Sequence, residues 1–435
     1  MARAMKDSGI EWLGDIPADW SVGRIKYNYY LKGRIGWQGL KADEFIDEGA
    51  FLVTGTDFMN GRVNWDTCYH ITQERYNEAP EIHVQEKDLL ITKDGTVGKV
   101  AYIDSKPEQV SLNSHLLIMR PLNEAYLNRF LFWVIQSPVF VKFFLLSQNG
   151  TVMASLSQEK ISNFSFAFPP LDEQQRIVDF LDSECARIDS IVEKTRASIE
   201  EYKKLKQSII TQAVTKGIRP NRLMKDSGIK WLGQIPADWE IHQIKNDFQI
   251  FSGATPKSEV VENWDGDIVW ITPADYKTTD RYILQGKRNI SKVGYNSCGT
   301  MLIPSGSIIF SKRAPIGTVA IAAVELCTNQ GCLSCVPKAN TDSGYFCYVM
   351  SAFTEQFNLF GTGTTFKEIS YNDFRSFKVP FPPLDEQKEI AEYLDEKTVA
   401  IDSLIAKKNR LVTELESLKK SLIFEYVTGK KEVPT

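Results

Sequence analysis

The sequence predicts a mixed α/β fold with two similar domains, two long helices that form an antiparallel coiled coil, and an internal pseudo-two-fold symmetry. Three observations predict it: a long internal repeat, short β-like runs in each half, and a heptad pattern that closes each half. Residues 5–20 (MKDSGIEWLGDIPADW) and 224–239 (MKDSGIKWLGQIPADW) match at fourteen of sixteen positions. Phe-Pro-Pro-Leu-Asp-Glu-Gln occurs at 168–174 and again at 381–387. Two long copies indicate two similar domains rather than a solenoid of short repeats.

Each half contains short runs rich in β-branched and aromatic residues and bounded by Gly, Asn and Asp, which predict strands. The expected strands are Phe51–Thr54, Asp88–Thr92, Val97–Ile103 and His115–Arg120 in the first half, and Ile268–Ile271, Ser307–Ser311, Thr318–Val324 and Cys332–Val336 in the second. Apolar helix-like stretches interrupt them at Tyr126–Leu146 and Tyr345–Phe360. Recent duplication alone would leave the two halves alike throughout. The anchors are nearly identical and the intervening residues have diverged, which favours one scaffold with two different inserts.

The two closing segments predict long helices of about 44 residues, or roughly 65 Å. Both show apolar residues at alternating spacings of four and three, which is a heptad seam. Asp172 and Asp385 are the expected N-caps after a Pro-Pro pair. In both helices acids dominate the first half and bases the second, so antiparallel pairing sets opposite charges side by side. The alternative is that each helix packs only on its own domain.

These anchors divide the chain into five parts. We expect an N-terminal segment at 1–20, a first α/β domain at 21–168, long helix 1 at 169–218, a second domain at 219–381 that includes the repeated segment 224–239, and long helix 2 at 382–435.

Composition constrains the function only weakly. The chain of 435 residues has 51 Lys plus Arg and 55 Asp plus Glu, a net charge of −4, so any DNA-binding surface must concentrate positive charge on one face. Seven cysteines scattered over a long chain fit a reducing cytoplasm better than a disulfide framework. No apolar run reaches the roughly 18 residues that a membrane span needs.

Known catalytic motifs are missing from the sequence. It contains no G-x-x-x-x-G-K-[ST] phosphate loop, no G-x-G-x-x-G between a strand and a helix, no Asn-Pro-Pro-aromatic motif of amino-methylating DNA enzymes and no H-E-x-x-H. Cys332 and Cys335 form a CxxC with Cys327 and Cys347 nearby, but the first half has no equivalent and the segment reads as a buried strand. We therefore expect neither catalytic residues nor a metal site.

Gly-rich loops with basic and amide residues lie at the ends of the predicted strands. Lys and Arg contact phosphates or a guanine edge, and Asn and Gln pair with adenine. The alternative is that these loops are ordinary hairpin turns, in which Gly, Asn and Asp are expected anyway. The candidate DNA-binding residues are Thr54, Thr56, Asp57, Lys93, Asp94, Thr96, Lys99, Asn113, Ser114, His115, Asn149, Thr151, Thr272, Asp275, Lys312, Arg313, Thr318, Asn329, Gln330, Thr364, Thr365 and Lys367.

Trp-Leu-Gly-x-Ile-Pro-x-x-Trp at the start of each half and Phe-Pro-Pro-Leu-x-Glu-Gln before each long helix resemble the specificity subunit of type I restriction-modification systems. The resemblance covers essentially the whole chain. It implies two target recognition domains, each reading one half of a bipartite, asymmetric DNA sequence, and helices that act as a ruler and dock two methyltransferase subunits. It also implies separate restriction subunits.

The resemblance further implies that this chain is not an enzyme and binds no cofactor, because S-adenosylmethionine, ATP and Mg²⁺ would be used on other subunits. The repeated element before each helix supplies the expected partner-docking residues, Asp172, Glu173, Gln174, Asp385, Glu386 and Gln387. Two other classes stay open: a coiled-coil scaffold or adaptor without DNA recognition, and an enzyme with an unrecognised site.

Overall fold

A computed structural model describes residues 3–34, 39–147, 156–276, 281–362 and 367–434. The chain divides into two compact units. Unit 1 comprises Met1–Arg196 and Arg410–Thr435, and unit 2 comprises Ala197–Asn409. The first predicted domain lies in unit 1 and the second in unit 2, and each long helix contributes one part of its length to each unit.

Unit 1 is built from thirteen short strands and five short helices in its described residues, followed by the first long helix. The strands are β1 (Met5–Asp7), β2 (Asp15–Pro17), β3 (Ser21–Arg24), β4 (Tyr29–Lys32), β5 (Ala50–Val53), β6 (Phe58–Met59), β7 (Arg62–Val63), β8 (Tyr69–Ile71), β9 (Leu89–Thr92), β10 (Val100–Tyr102), β11 (Val110–Leu112), β12 (Leu116–Pro121) and β13 (Ser165–Phe168). The helices are α1 (Ile25–Asn28), α2 (Gln73–Asn77), α3 (Asn128–Gln136), α4 (Pro138–Leu146), α5 (Gln158–Ser162) and the long α6 (Leu171–Lys216).

Unit 2 repeats this order of elements with twelve strands in its described residues instead of thirteen. Its strands are β14 (Met224–Asp226), β15 (Gln234–Pro236), β16 (Glu240–Gln243), β17 (Phe248–Ser252), β18 (Trp264–Ile271), β19 (Tyr282–Ile283), β20 (Arg288–Ile290), β21 (Ile308–Ser311), β22 (Val319–Ala322), β23 (Cys327–Thr328), β24 (Cys332–Pro337) and β25 (Lys378–Phe381). Its helices are α7 (Ile244–Asp247), α8 (Lys292–Asn296), α9 (Ser343–Ala352), α10 (Thr354–Phe360), α11 (Tyr371–Ser376) and the long α12 (Leu384–Val427).

The main sheets of the two units have the same strand order. In unit 1 the order is β10-β9-β12-β4, and in unit 2 it is β17-β24-β21-β22-β19, so that β22-β21-β24-β17 repeats the first sheet and β19 adds an edge. A second sheet accompanies each, β11-β5-β8 and β20-β18-β23. Parallel pairs (β11 with β5, β18 with β23, β19 with β22) occur among antiparallel ones. The mixed α/β fold and all eight predicted strands are confirmed.

Each apolar stretch predicted as one helix is two. In unit 1, α3 ends before Pro138, because a proline inside a helix removes a backbone donor and clashes with the preceding turn. The Ser137 hydroxyl accepts a hydrogen bond from the Val139 backbone N–H (3.2 Å) and so caps α4. In unit 2 the corresponding stretch divides at Phe353.

The long helices extend over 46 and 44 residues, as predicted. Their predicted N-caps are wrong by two positions: each helix begins at a leucine, and the carbonyls of Pro170 and Pro383 accept the first helical hydrogen bonds from Gln174 and Gln387 (both 3.0 Å). Asp172 and Asp385 instead stand in the first turn, where a carboxylate still interacts favourably with the helix dipole.

Within unit 1 the two long helices run antiparallel. Asp189 pairs with Lys419 (2.6 Å) and Arg196 with Glu416 (2.5 Å), so that the partner number falls as the residue number rises. Ile188, Val192 and Val412 form an apolar cluster on the same two helices.

The same direction holds within unit 2. Lys206 Nζ on α6 bonds to Asp402 (2.6 Å), and Arg219, just beyond the end of α6, pairs with Glu389 (2.7 Å), nearer the start of α12. Acidic starts therefore meet basic ends, as the charge pattern predicts. The first part of each long helix also packs on its own domain, because Leu181 and Leu394 belong to the apolar cores of units 1 and 2. Helix pairing and packing on the domain therefore both occur.

The heptad seam is buried only in part. Several seam positions beyond the first turns are exposed: Ile191 (36%), Leu411 (43%) and Leu418 (52%) in unit 1, and Leu205 (47%) and Leu404 (40%) in unit 2. A straight α-helix drifts from a strict seven-residue repeat, which moves an apolar stripe off the contact line. Each unit thus leaves large apolar side chains exposed on its helical part.

No single helix among the described residues is long and apolar enough to cross a membrane, although α3 and α4, bent by 66°, pass the length and composition test together.

Candidate DNA-recognition surface

A tight hairpin loop follows β9 in unit 1 and β21 in unit 2, and the two loops share one backbone frame. In unit 1, Thr92 N–H donates to the Lys99 carbonyl and Gly98 N–H to the Thr92 carbonyl (both 2.9 Å). In unit 2, Ser311 N–H donates to Thr318 (2.8 Å) and Gly317 N–H to Ser311 (2.9 Å). Both glycines have a positive φ, 81° and 95°, which glycine adopts without strain.

A second loop is tied to this hairpin in each unit. Lys93 N–H donates to the His115 carbonyl, and Lys312 N–H donates to the Gly331 carbonyl (both 2.9 Å). Asn113 and Asn329 begin these second loops, and their backbone N–H groups bond to Val53 and Ile271, respectively, in the strand that leads to a third loop. Three loops therefore converge beside the same strand ends in each unit.

The third loop is a one-turn 3₁₀ helix held by a reciprocal capping box. The Asp57 carboxylate accepts from the Thr54 N–H (2.7 Å) and hydroxyl (2.9 Å), and Asp275 does the same for Thr272 (2.8 and 2.7 Å). Asp57 is only 3% exposed. These predicted residues stabilise the loop itself, and Thr56 between them is exposed in unit 1.

The two loop clusters present different side chains at matching positions. Asp94 in unit 1 corresponds to Arg313 in unit 2, and His115 corresponds to Gly331. His115 Nδ1 lies 3.3 Å from the Asp94 carboxylate. Unit 1 thus places a carboxylate and an imidazole where unit 2 places a guanidinium beside a glycine, so the shared frame carries different side-chain chemistry in the two units.

Other predicted residues are spread around these loops with varied exposure. Lys99 is exposed and its Nζ contacts the Phe58 carbonyl (3.2 Å), and Ser114 donates to the Asn113 side chain (3.2 Å). Gln330 accepts from the hydroxyl of Thr255. Lys93 and Thr318 are half-buried and Thr96 and Lys367 are exposed. Asn149, Thr151, Thr364 and Thr365 lie outside the described residues.

Sequence reasoning missed Glu368, whose carboxylate pairs with Lys312 Nζ (2.7 Å) and lies 3.6 Å from Arg313 Nη1. A sequence separation of more than fifty residues hides this contact. Identifying it would have required knowing that Ile369 N–H bonds to the Lys312 carbonyl (3.1 Å), which brings the segment before α11 beside the hairpin.

The expected partner-docking element is used largely within each unit. Glu173 accepts from Arg3 Nη1 (2.6 Å) and from Trp20 Nε1 (3.3 Å), and the hydrogen bond to Glu173 raises the pKa of the Arg3 guanidinium. Gln174 is 1% exposed and its amide oxygen accepts from the Leu127 N–H (2.9 Å). These side chains fix the opening segment and α3 to the start of α6.

Unit 2 repeats this arrangement. Glu386, 2% exposed, binds Arg222 and accepts from Trp239 Nε1 (3.0 Å). Gln387, fully buried, accepts from the Asp342 N–H (2.8 Å). Of the six expected docking residues, Asp172 and Asp385 are the exposed ones.

The CxxC lies in a buried strand, as expected. Burial raises the pKa of the Cys332 thiol to about 12, and all seven cysteines are free thiols. Among the residues that the structure describes, no group of three or more His, Cys, Asp or Glu side chains is arranged to hold a metal ion.

Comparison with known proteins identifies the family. The model of the type I restriction modification DNA specificity domain matches residues 38–201 and 236–414. The chain is 27% identical to the putative type I restriction enzyme MjaX specificity subunit of Methanocaldococcus jannaschii, over 97% of this chain and 96% of that one. It is 36% identical over 190 residues, 43% of each chain, to the MjaIX specificity subunit of the same organism.

The fold also matches a chain solved in work on the complex assembly and conformational transition of the type I R-M system, with a TM-score of 0.75, 17% identity and coverage of 96% of this chain and 99% of that chain. Because the two family matches together cover most of the sequence, one in each half, the chain belongs to the type I restriction-modification specificity subunits and carries two DNA specificity domains.

Proposed function

We propose that the two domains read two different half-sites of one bipartite, asymmetric DNA sequence. One observation carries this proposal: a shared loop frame with opposite chemistry at the same positions, Asp94 and His115 in unit 1 against Arg313 and Gly331 in unit 2. Base edges in the major groove are distinguished by donors and acceptors, so an acidic and a basic side chain at one position select different bases.

Phosphate contacts in this proposal come from two lysines of the unit 1 hairpin and from Lys367, which precedes Glu368 in unit 2. Lys93, Lys99 and Lys367 carry positive charge beside the candidate reading residues, and lysine commonly fixes a protein on the DNA backbone without reading sequence. Since the net charge of the chain is −4, we infer that partner subunits supply much of the remaining phosphate contact.

We propose that the long helices dock two copies of a methyltransferase subunit. The exposed apolar side chains support this: Leu411 and Leu418 in unit 1, and Leu205 and Leu404 in unit 2, are 40–52% exposed. Exposed apolar groups next to polar residues commonly mark protein interfaces. Because Glu173, Gln174, Glu386 and Gln387 are engaged within their own units, Asp172 and Asp385 are the two of the six expected docking residues that remain exposed for a partner.

In this proposal the chain is not an enzyme and binds no cofactor. Methyl transfer with S-adenosylmethionine belongs to the methyltransferase subunits, and ATP-driven cleavage with Mg²⁺ belongs to restriction subunits that join the same complex. A cytoplasmic location, in which the seven free thiols stay reduced, is part of the proposal.

Mapping of methylated adenines tests the proposal directly. The chain is co-produced with its methyltransferase subunit in a host that lacks other adenine methylation, and we expect two half-sites separated by one constant gap. Replacement of residues 21–168 by the corresponding domain of a relative should change one half-site and leave the other intact. A continuous motif, or a change in both half-sites, would contradict two independent readers.

Mass measurement of the reconstituted complex tests the partner arrangement. One specificity chain with two methyltransferase chains is expected, because the docking features occur twice in the chain. A one-to-one complex at saturating methyltransferase would show that only one of the two repeated surfaces is used.

A further inference from the structure

We propose that Arg313 reads a guanine in the half-site of unit 2 and that Glu368 is the positioning residue that directs Arg313 to the base rather than to phosphate. This inference rests on the proposed function, in which the loops of unit 2 contact DNA, and it assigns roles to two residues within that surface. The evidence comes from the backbone around Glu368, from its side-chain contacts and from the contrast with unit 1.

The backbone fixes the place of Glu368 on two sides. Its N–H donates to the Thr362 carbonyl and its carbonyl accepts from the Thr362 N–H (both 3.0 Å). It also forms an isolated antiparallel bridge with Arg313, and the next residue, Ile369, bonds to the Lys312 carbonyl (3.1 Å). The carboxylate is therefore presented to the hairpin by an ordered backbone.

The carboxylate holds both cations of the hairpin. It bonds to Lys312 Nζ (2.7 Å), whose side chain is only 14% exposed, and it lies 3.6 Å from Arg313 Nη1, whose side chain is 35% exposed. Lys312 is thus largely withdrawn from solvent, and Arg313 is the cation of the pair that is presented outward. Glu368 contacts Arg313 through Nη1, and the guanidinium is planar. This contact therefore orients the N–H donors of the guanidinium that do not face Glu368.

Gly331 provides the space in which the arginine lies. A Cβ placed on Gly331 would lie 3.2 Å from Arg313 Nε and 2.9 Å from the Pro273 ring. The guanidinium therefore sits directly over the second loop and next to the third, at the point where the three loops of unit 2 converge. A Cβ at residue 331 would be closer to Arg313 Nε than an ordinary van der Waals contact, so the arginine would have to shift slightly.

Electrostatics favours a base over a phosphate at this place. The negative Glu368 repels a phosphate that approaches Arg313, whereas the edge of guanine is neutral and offers the O6 and N7 acceptors that match two guanidinium donors. Glu368 neutralises one of the two charges of Lys312 and Arg313, which lowers the attraction of this site for DNA of any sequence. The match between two guanidinium donors and guanine O6 and N7 is not affected.

Unit 1 carries a different set at the corresponding positions. Its hairpin has Asp94 where unit 2 has Arg313, and Leu156 N–H bonds to the Lys93 carbonyl (2.9 Å) as Ile369 does to Lys312. In the sequence Ser155 precedes Leu156, whereas Glu368 precedes Ile369. The arginine and its acid occur together in unit 2, which is the pattern expected of a coupled pair.

The test uses the chain in complex with its methyltransferase subunit and the DNA site found by methylation mapping. Binding of the site and of every single-base variant in the half-site of unit 2 is measured at several salt concentrations for the wild type, R313A, R313K and E368Q. D265N serves as the control, because Asp265 also pairs with an arginine of unit 2, Arg288 (3.4 Å), and Asn suits its positive φ of 58°.

We expect R313A and R313K to reduce the preference for one G·C pair by about 5- to 150-fold, with little change at the other positions. E368Q should reduce the preference at that same pair and strengthen binding to unrelated DNA, with a salt slope steeper by up to about one unit. D265N should match the wild type in all of these measurements.

A uniform loss of affinity in R313A, with a salt slope smaller by about one unit, would identify Arg313 as a phosphate contact and overturn the inference. If E368Q matched D265N in base preference, in binding to unrelated DNA and in salt slope, Glu368 would have no positioning role. In both cases the wild-type complex would still prefer its bipartite site, so the proposed function would survive. A wild-type complex without any sequence preference would overturn the proposed function itself.

Discussion

Asp182 and Asp395 occupy the same position in the two long helices, 213 residues apart, and each binds an arginine that comes from a different part of its unit. Asp182 accepts from Arg129 Nε (3.1 Å) on α3, and Asp395 pairs with Arg281, which directly precedes β19. The anchoring carboxylate is part of the repeated helix, whereas its partner belongs to the divergent domain. The two domains thus reach the same attachment by different residues.

Removal of the Asp182 carboxylate should destabilise unit 1. D182A deprives Arg129 (17% exposed) and Trp133 Nε1 (2.8 Å) of their acceptor, and a hydrogen bond to a charged group contributes about 1.5–3 kcal/mol. Urea unfolding should show a loss of this size. The matched control is E200A, which breaks an exposed pair with Lys203 and should cost less than about 0.5 kcal/mol. Equal effects of the two changes would show that Asp182 does not anchor the domain.

The two arginine–glutamate–tryptophan clusters should differ in strength. Glu386 is 2% exposed as a side chain and Glu173 is 15% exposed, although both bind an arginine and a tryptophan N–H. Removal of one partner of a buried ion pair costs about 3–5 kcal/mol, because the remaining charge is left uncompensated. E386A should therefore lower the free energy of unfolding by about that amount, and E173A by less. Urea unfolding of both variants measures the two losses of unfolding free energy. A loss for E386A equal to or smaller than that for E173A would show that exposure does not govern the cost.

Much of the fold follows from local patterns in the sequence. The strands and the extents of the long helices depend on local periodicity and on the Pro-Pro pair, and local signals suffice to find them. The contact of Glu368 with Lys312, and that of Arg281 with Asp395, join residues far apart in sequence and depend on tertiary packing. The candidate loops were found because Gly, Asn and Lys cluster there, but their sequence does not show that Asp57 is buried while Thr56 is exposed.

Stability of unit 2 should fall as pH rises above 6.5, because His242 then loses its proton. Burial lowers the pKa of this imidazole, but hydrogen bonds to Asp247 Oδ1 (2.7 Å) and Glu240 Oε2 (2.9 Å) outweigh burial and raise it above 6.5. The protonated ring therefore stabilises the folded state fully below pH 6.5, and this contribution is lost as pH rises through the higher folded pKa. Burial also raises the pKa of Asp247, in spite of His242 and Lys338, which acts in the same direction at lower pH.

Urea midpoints measured from pH 5.5 to 8.5 check this dependence, with His242→Asn as the comparison. Asn cannot take up a proton, so its midpoint should vary less across the range while the wild type declines. Unit 1 has Gly23 in the matching strand of its own sheet, which leaves His242 as a feature of unit 2. Parallel curves for the two proteins would show that His242 does not titrate between the folded and unfolded states in this range.

Charge introduced on the exposed helical leucines should weaken binding of the methyltransferase subunit. Leu411 and Leu418 are 43% and 52% exposed and lie seven residues apart, two turns along one face of α12 in unit 1. Because neither is buried, L411E and L418E should leave the folded chain intact, and desolvation of a carboxylate at an interface should raise the dissociation constant at least tenfold. L122E, at a leucine that is 60% exposed and off the long helices, is the matched control.

Titration calorimetry with the purified methyltransferase subunit should show one of two equivalent sites lost in the double variant. Two unchanged sites would mean that the partner binds elsewhere on the chain.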